Sequence, residues 1–283
     1  MEKIGLVLEG GGMKGVFTGG VLDLFIEKNL FFPYVIGVSA GACNALSYMS
    51  KQYGRNKRVT IDYISDPRYL SYRNLLRSKS IFGMDFIFDE IPNRLDPFDY
   101  ESFQQSEQTL VVGTTDCFTG EPVYFSNKDG YDMVQVTRAS SSLPFVALPV
   151  ELEGYTLMDG GMADPLPIRK SIEDGNRKHV VVMTKHKDYV KRPFQWKWAA
   201  EKMYPQFPGL VETMIYRHEN YNETLRFIRE LEEAGKVFVI QPETDMKVSR
   251  IEKKRGKLTE LYEQGYRSAE TLYEDLLRWM ETG

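Results

Sequence analysis

The sequence predicts an α/β protein with a mostly parallel sheet covered by helices on both faces. Two observations carry this expectation. Short apolar runs alternate along the chain with segments of helical spacing, and the first two runs each close in a glycine-bracketed turn that opens a helix. The 283 residues, 42% hydrophobic and 13% aromatic, are enough for one large domain with a full core.

Taken in order, Lys3 to Leu8 reads as a short buried strand, followed by Gly10-Gly11-Gly12 and by Phe17, Val21, Leu24, Phe25 and Lys28 at helical spacing. Tyr34 to Val38 reads as a second strand, closed by Gly37-Val38-Ser39-Ala40-Gly41, and Leu46, Tyr48 and Met49 mark the helix beyond it. Residues 53 to 100 are rich in Tyr, Arg, Phe, Asp and Pro without clean periodicity, which predicts loops and short helices beside the sheet, as in an active-site cover. Further strands are expected at Thr109 to Gly113, Pro122 to Ser126, Leu152 to Met158, His179 to Met183 and Val237 to Ile240. From about Pro205 the chain becomes helical and charged, and it ends in a long helix containing Leu258, Leu261, Tyr262, Tyr266 and Leu276. The expected division is a catalytic domain over residues 1–200 and a mainly helical region over 201–283.

Composition removes several function classes. A net charge of -4 gives no general attraction for nucleic acid, and no zinc-finger or RNA-binding aromatic signature is present. The N-terminal apolar run is too short for a signal peptide, and no stretch approaches the roughly 18 apolar residues of a membrane span, so a cytoplasmic protein is expected, at most peripheral to a membrane. Cys43 and Cys117 stand far apart without metal-ligand spacing and are expected to be buried, reduced thiols; no metal or cofactor is called for. His179, His186 and His218 are the only imidazoles, too few for chemistry that needs several.

Gly10, Gly12 and Gly15 fit the GxGxxG pattern of a dinucleotide site, but the acidic residue such a site needs at the end of the second strand is missing. A phosphate loop would need Lys and Ser or Thr directly after Gly15, where Val16 and Phe17 stand. What remains is a turn, Gly10, Gly11, Gly12, Lys14 and Gly15, whose backbone N–H groups at a helix N-terminus suit a developing negative charge. A cation in the first helical turn opposes the dipole, so Lys14 either has a compensating anion or is a solvated surface lysine.

Gly37-Val38-Ser39-Ala40-Gly41 fits GxSxG, in which Gly37 and Gly41 permit the sharp turn that presents Ser39 as a nucleophile; the bland reading is a serine capping a helix. Asp159-Gly160-Gly161 closes a predicted strand at the sheet edge where open α/β sheets bind ligands. By itself that triplet is more often an ordinary turn. His186, just past a predicted strand end, is the rival base.

These three ordered motifs, Gly10 to Gly15, Gly37 to Gly41 and Asp159-Gly160-Gly161, resemble the signatures of patatin-like phospholipases, and Ala139-Ser140-Ser141-Ser142-Leu143-Pro144 is similar to that family as well. The resemblance spans roughly residues 4 to 190. It implies a three-layer α/β/α fold and hydrolysis of lipid acyl esters by a Ser39–Asp159 dyad without histidine, metal or cofactor. It also implies an oxyanion hole from the glycine turn. The alternative is a catalytically lapsed protein of the same fold with a lipid-binding or regulatory role. An ordinary aspartate is a poor base at neutral pH, so Asp159 is expected to be shielded from water. Lys185 to Trp198 interleaves Lys and Arg with Tyr189, Phe194, Trp196 and Trp198, which suits peripheral contact with a bilayer or, more plainly, a surface loop packed onto the domain.

Overall fold

The computed structural model describes residues 3–245 and 247–282, without the side chains of residues 76–78. One eight-stranded sheet organises the chain: β1 (Ile4–Leu8), β2 (Tyr34–Val38), β3 (Thr109–Asp116), β4 (Pro122–Ser126), β5 (Val150–Leu152), β6 (Tyr155–Asp159), β7 (Lys178–Val182) and β8 (Val237–Ile240). The strand order is β5-β6-β3-β2-β1-β7-β8, with β4 also paired to β3. The core from β3 to β8 is parallel, whereas β4, β5 and β6 run antiparallel. β1, β2 and β7 are buried along their whole length, which is why β1 and β2 read as unbroken apolar runs rather than alternating ones, while β7 becomes apolar after Lys178 and His179.

Helices cover both faces, giving the expected three-layer arrangement. One layer holds Val16–Glu27, Ala40–Met49 and the C-terminal helix Arg255–Glu281, packed through Phe17, Phe25, Leu46, Leu258 and Leu261. The opposite layer includes Pro208–Glu233, which covers Val7, Ile36 and Val181 with Tyr221, Leu225 and Ile228. The last strand and the last helix therefore belong to the same sheet and core as the N-terminal half.

The structure departs from the sequence reading at Leu152 to Met158. That run is a hairpin, β5 and β6, turning at Glu153 and Gly154 with φ of 52° and 81°. β3 also runs beyond its expected end to Asp116, and this extension decides the site.

Candidate active site

β3 brings Ser39 and Asp159 together. Its first half pairs with β2, ending at Val38 opposite Gly113, and its last residues pair on the same edge with β6, beginning at Asp159 opposite Thr114. β2 and β6 thus abut end to end along one strand. The residue after Val38 is Ser39, so two residues 120 positions apart in sequence meet where adjacent β3 residues place them. Both are buried, Ser39 at 5% exposure and Asp159 at 2%.

Ser39 has φ 52° and ψ -124°, a conformation that costs an L-residue about 1–3 kcal/mol and is characteristic of strained functional turns. Gly37 and Gly41 permit the turn by close approach: a Cβ on Gly37 would stand 2.9 Å from the Gly41 carbonyl carbon, and one on Gly41 would overlap the backbone of Leu8. A residue that sequence reasoning passed over ties the elbow down. Ser140 Oγ accepts the Ser39 amide at 2.8 Å and donates to Gly113 O at 2.6 Å, and its carbonyl receives the Gly160 amide at 3.3 Å. Its only sequence signal is its place in Ala139 to Pro144. Ser140→Ala leaves the buried Ser39 amide unpaired, so a loss of about 1–3 kcal/mol in denaturant unfolding is expected, with kcat falling more than KM changes.

Asp159 Oδ1 accepts the Gly161 amide at 2.8 Å, while Oδ2 meets no hydrogen-bond donor among the described residues. Burial raises the carboxyl above its ordinary range; the Ser39 hydroxyl, then Arg217, the Gly161 amide and Arg250 act in the opposite direction. The serine side chain is therefore near enough to favour the charged carboxylate, although no hydrogen bond between the two has closed. Thr115 Oγ1 fixes the loop further, donating to Asp159 O at 2.9 Å and accepting the Ala163 amide at 3.1 Å.

The glycine turn lies beside this pair. Gly10 N donates to Pro165 O, Met13 N to Arg250 O and Lys14 N to Gly11 O, but the amides of Gly11 and Gly12 donate to no partner among the described residues. Gly12 has φ 57°, and a Cβ there would stand 2.7 Å from Arg250 O, so this position tolerates little but glycine. Gly15 lies against Ala40, and Asn44 Nδ2 holds its carbonyl at 2.7 Å. Lys14 has the compensating anion that the helix dipole asks for, Asp245, at 3.8 Å.

Ser39 opens onto an apolar cavity of about 90 Å³. Gly12, Gly15 and Ala40 form one end, and Tyr69, Phe82, Met84, Ile87 and Phe88 from the 53–100 segment form the wall. That segment, made of short helices and turns, lies over the cavity that Ser39 lines. Cys43 lines the cavity and is only half-buried, against the expectation of a buried thiol, because it sits one helical turn beyond Ser39 on the cavity side. Desolvation by the apolar surroundings, with the neighbouring Asp159, pushes its thiol up to about 11, which keeps it mostly protonated at neutral pH. Cys117 is buried.

No histidine lines this cavity among the described residues. His186 packs its ring edge-on against Tyr189 in other pockets, and His179 is buried beside Ser171. No group of three or more His, Cys, Asp or Glu side chains suited to a metal ion occurs among the described residues. No described helix is long and apolar enough to cross a membrane.

The stretch Lys185 to Trp198 is divided rather than uniformly exposed. Lys185 is buried, its ammonium donating to Thr184 Oγ1 at 2.9 Å, and Lys191 lies half-buried over the Tyr221 ring. Trp196 and Trp198 are exposed at 63% and 68%.

The model of the family described as patatin-like phospholipase matches residues 6–171, and that of a domain of unknown function, DUF6363, matches residues 207–281. The uncharacterized protein YjjU of Escherichia coli is 25% identical over 251 residues, covering 85% of this chain and 68% of YjjU. The lysophospholipase NTE1 of Candida albicans is 21% identical across 100% of this chain, which spans only 20% of NTE1. The crystal structure of VipD from Legionella pneumophila shares the fold at 17% identity with a TM-score of 0.50, covering 97% of this chain and 67% of VipD. Since the family match takes in more than half of the chain, and within it the glycine turn, the strained serine and the buried aspartate, this chain belongs to the patatin-like phospholipase family.

Proposed function

We propose that the protein is a serine acyl hydrolase that cleaves carboxylic esters of lipids through Ser39 and Asp159. One observation carries this reading: a buried, incompletely bonded carboxylate stands beside a strained serine that lines an apolar cavity. Ser39 Oγ attacks the ester carbonyl carbon as its proton passes to Asp159 Oδ2. The carbonyl oxygen becomes an oxyanion facing the free amides of Gly11 and Gly12, where each preorganised donor is worth roughly 10²–10³ in rate. Collapse breaks the ester C–O bond, and the proton on Asp159 goes to the departing alkoxide. Water then attacks the acyl-serine, giving its proton to Asp159, and Ser39 is regenerated as the fatty acid leaves. Burial serves the base, because it lifts the Asp159 pKa toward the range where a carboxylate accepts protons usefully.

The wall of Tyr69, Phe82, Met84, Ile87 and Phe88 is suited to an acyl chain, whether of a phospholipid, a lysophospholipid or an acylglycerol. A cytoplasmic enzyme meeting membranes peripherally, with Trp196 and Trp198 at the surface, fits this substrate class. The test is a p-nitrophenyl ester series of increasing chain length, followed by labelling with an alkyl fluorophosphonate. Expected are kcat/KM values that rise with chain length, about 3-fold or more per two methylenes while the chain still enters apolar surface, and a single adduct on Ser39 by peptide mass spectrometry. Inert esters together with an unlabelled Ser39 would place the chain with lapsed, lipid-binding relatives instead.

A further inference from the structure

Leu143 lines the acyl cavity on one side and a second cavity, of about 520 Å³, on the other. The second cavity is different in kind. Lys191, Arg192, Arg217 and Arg250 line it, with Phe194 and Trp196 at its aromatic wall. It adjoins both halves of the catalytic apparatus. Arg217 donates through Nε to Gly161 O, its Nη2 lies 3.3 Å from the Cβ position of that glycine, and the Asp159 carboxylate feels both Arg217 and Arg250. The Arg250 carbonyl holds the Met13 amide at 3.1 Å and packs on Gly12.

The charges here are not balanced. Among the described residues, Lys191, Arg217 and Arg250 form no ion pair with a carboxylate, although exposed cations elsewhere on the molecule do. Two carboxylates act on them from behind, Asp159 first and then Glu9 on Arg217, fewer than the cations gathered here, and Glu9 is already occupied: it accepts from the Thr184 amide and hydroxyl and from Tyr221 Oη. Burial, followed by Arg217, Arg250 and Lys185, pushes the Lys191 ammonium down to about 6, and burial with Arg250 pushes Arg217 down to about 10. Cations gathered in a recess weaken one another, and a bound anion reverses that. Two guanidiniums and an ammonium converging on one recess suit the three free oxygens of a phosphate monoester better than the two of a carboxylate.

We propose that this cavity is a phosphate-binding site formed by Lys191, Arg217 and Arg250, which seats the phosphate of an acylglycerol phosphate beside the ester that Ser39 attacks. This rests on the hydrolase reading above for its second half only; the site itself stands on the cavity and its unpaired cations. The side chains come largely from outside the matched family stretch of residues 6–171, so the substrate's head would be chosen by the C-terminal part of the chain.

The test compares oleoyl lysophosphatidate with monooleoylglycerol in the same neutral detergent micelles, using wild type, Lys191→Met and Lys191→Arg. Thermal unfolding is followed in parallel with inorganic phosphate against sodium chloride at matched ionic strength. Expected is a preference of tenfold or more in kcat/KM for the phosphate-bearing lipid, lowered about tenfold by Lys191→Met and kept by Lys191→Arg. Arg250→Gln is read in the same way should Lys191→Met fail to fold. Equal turnover of the two lipids, with phosphate stabilising wild type but not Lys191→Met, keeps the site and assigns it to free phosphate. Equal turnover with no phosphate effect overturns the site while leaving the hydrolase intact. Inert lipids with phosphate stabilisation retained remove the hydrolase reading and leave the site.

Discussion

Asp159→Asn is expected to lower kcat for ester hydrolysis roughly 10³-fold or more, Ser39→Ala to do at least as much, and the double variant to be little worse than either. The non-additivity follows from the geometry, since each side chain is useful only through the other. Asparagine keeps the acceptor that Asp159 Oδ1 offers the Gly161 amide and removes only the proton acceptor at Oδ2. The loop should therefore hold its shape, and the loss should appear in kcat. The base works deprotonated, so wild-type kcat/KM should rise with pH through a limb displaced above that of an ordinary aspartate. Stability has the opposite sign. A carboxyl whose folded pKa is raised holds its proton more tightly folded than unfolded, so its stabilising contribution is complete below the unfolded pKa and is lost as pH rises through the folded one. At neutral pH the charged Asp159 is a cost to the fold, and Asp159→Asn should unfold at a temperature no lower than wild type. A variant that loses activity because it has unfolded would show the reverse.

The parts of this site that were legible in the sequence are those set by local backbone chemistry. Gly37, Ser39 and Gly41 declare a sharp strand-to-helix turn because few other residues can make one, and the glycine turn does the same for a crowded helix start. The contact between Ser39 and Asp159 was legible only through the ordered motifs, since nothing local says that β3 runs far enough to pair with two strands on one edge. The hairpin at Glu153 and Gly154 was missed because Glu-Gly is not among the strongest two-residue turn signals, and the flanking Leu152 and Tyr155 continue an apolar run. The basic cavity was hidden for another reason. Arg217 lies on a long charged helix and Arg250 in a polar loop, positions where cations are ordinarily solvated, and only the fold turns both toward Asp159. Lys185 and Lys191 read as part of a surface segment for the same reason, and the structure turns them inward.

Gly265→Val is expected to destabilise the protein by about 3 kcal/mol or more, the upper range for overpacking a tight interface. The helix Arg255–Glu281 lies on Val16–Glu27 so closely that a Cβ on Gly265 would overlap the Phe17 carbonyl, and one on Gly20 would overlap the Tyr262 carbonyl. Intrinsic propensity does not oppose the substitution strongly, because glycine is itself unfavourable inside a helix by about 1 kcal/mol. Steric overlap with rigid backbone therefore decides the sign. The contact also seats Tyr262, whose hydroxyl donates to the buried Asp23 at 2.6 Å, while the other Asp23 oxygen accepts the Gly54 amide at 3.1 Å. Prising the helices apart would strand that carboxyl, already raised above its ordinary range by burial. Gly256→Ala is the control: it lies in the same helix with nothing within 4 Å of the added methyl and should be neutral or slightly stabilising. The measurement is the urea midpoint of each variant alongside its ester hydrolysis. Because Val16–Glu27 leaves directly from the glycine turn, Gly265→Val should also lower kcat/KM under conditions where it is still folded. A stable, fully active Gly265→Val would mean that the C-terminal helix can shift without disturbing the turn, and that the charge it helps to enclose is set by the remaining elements alone.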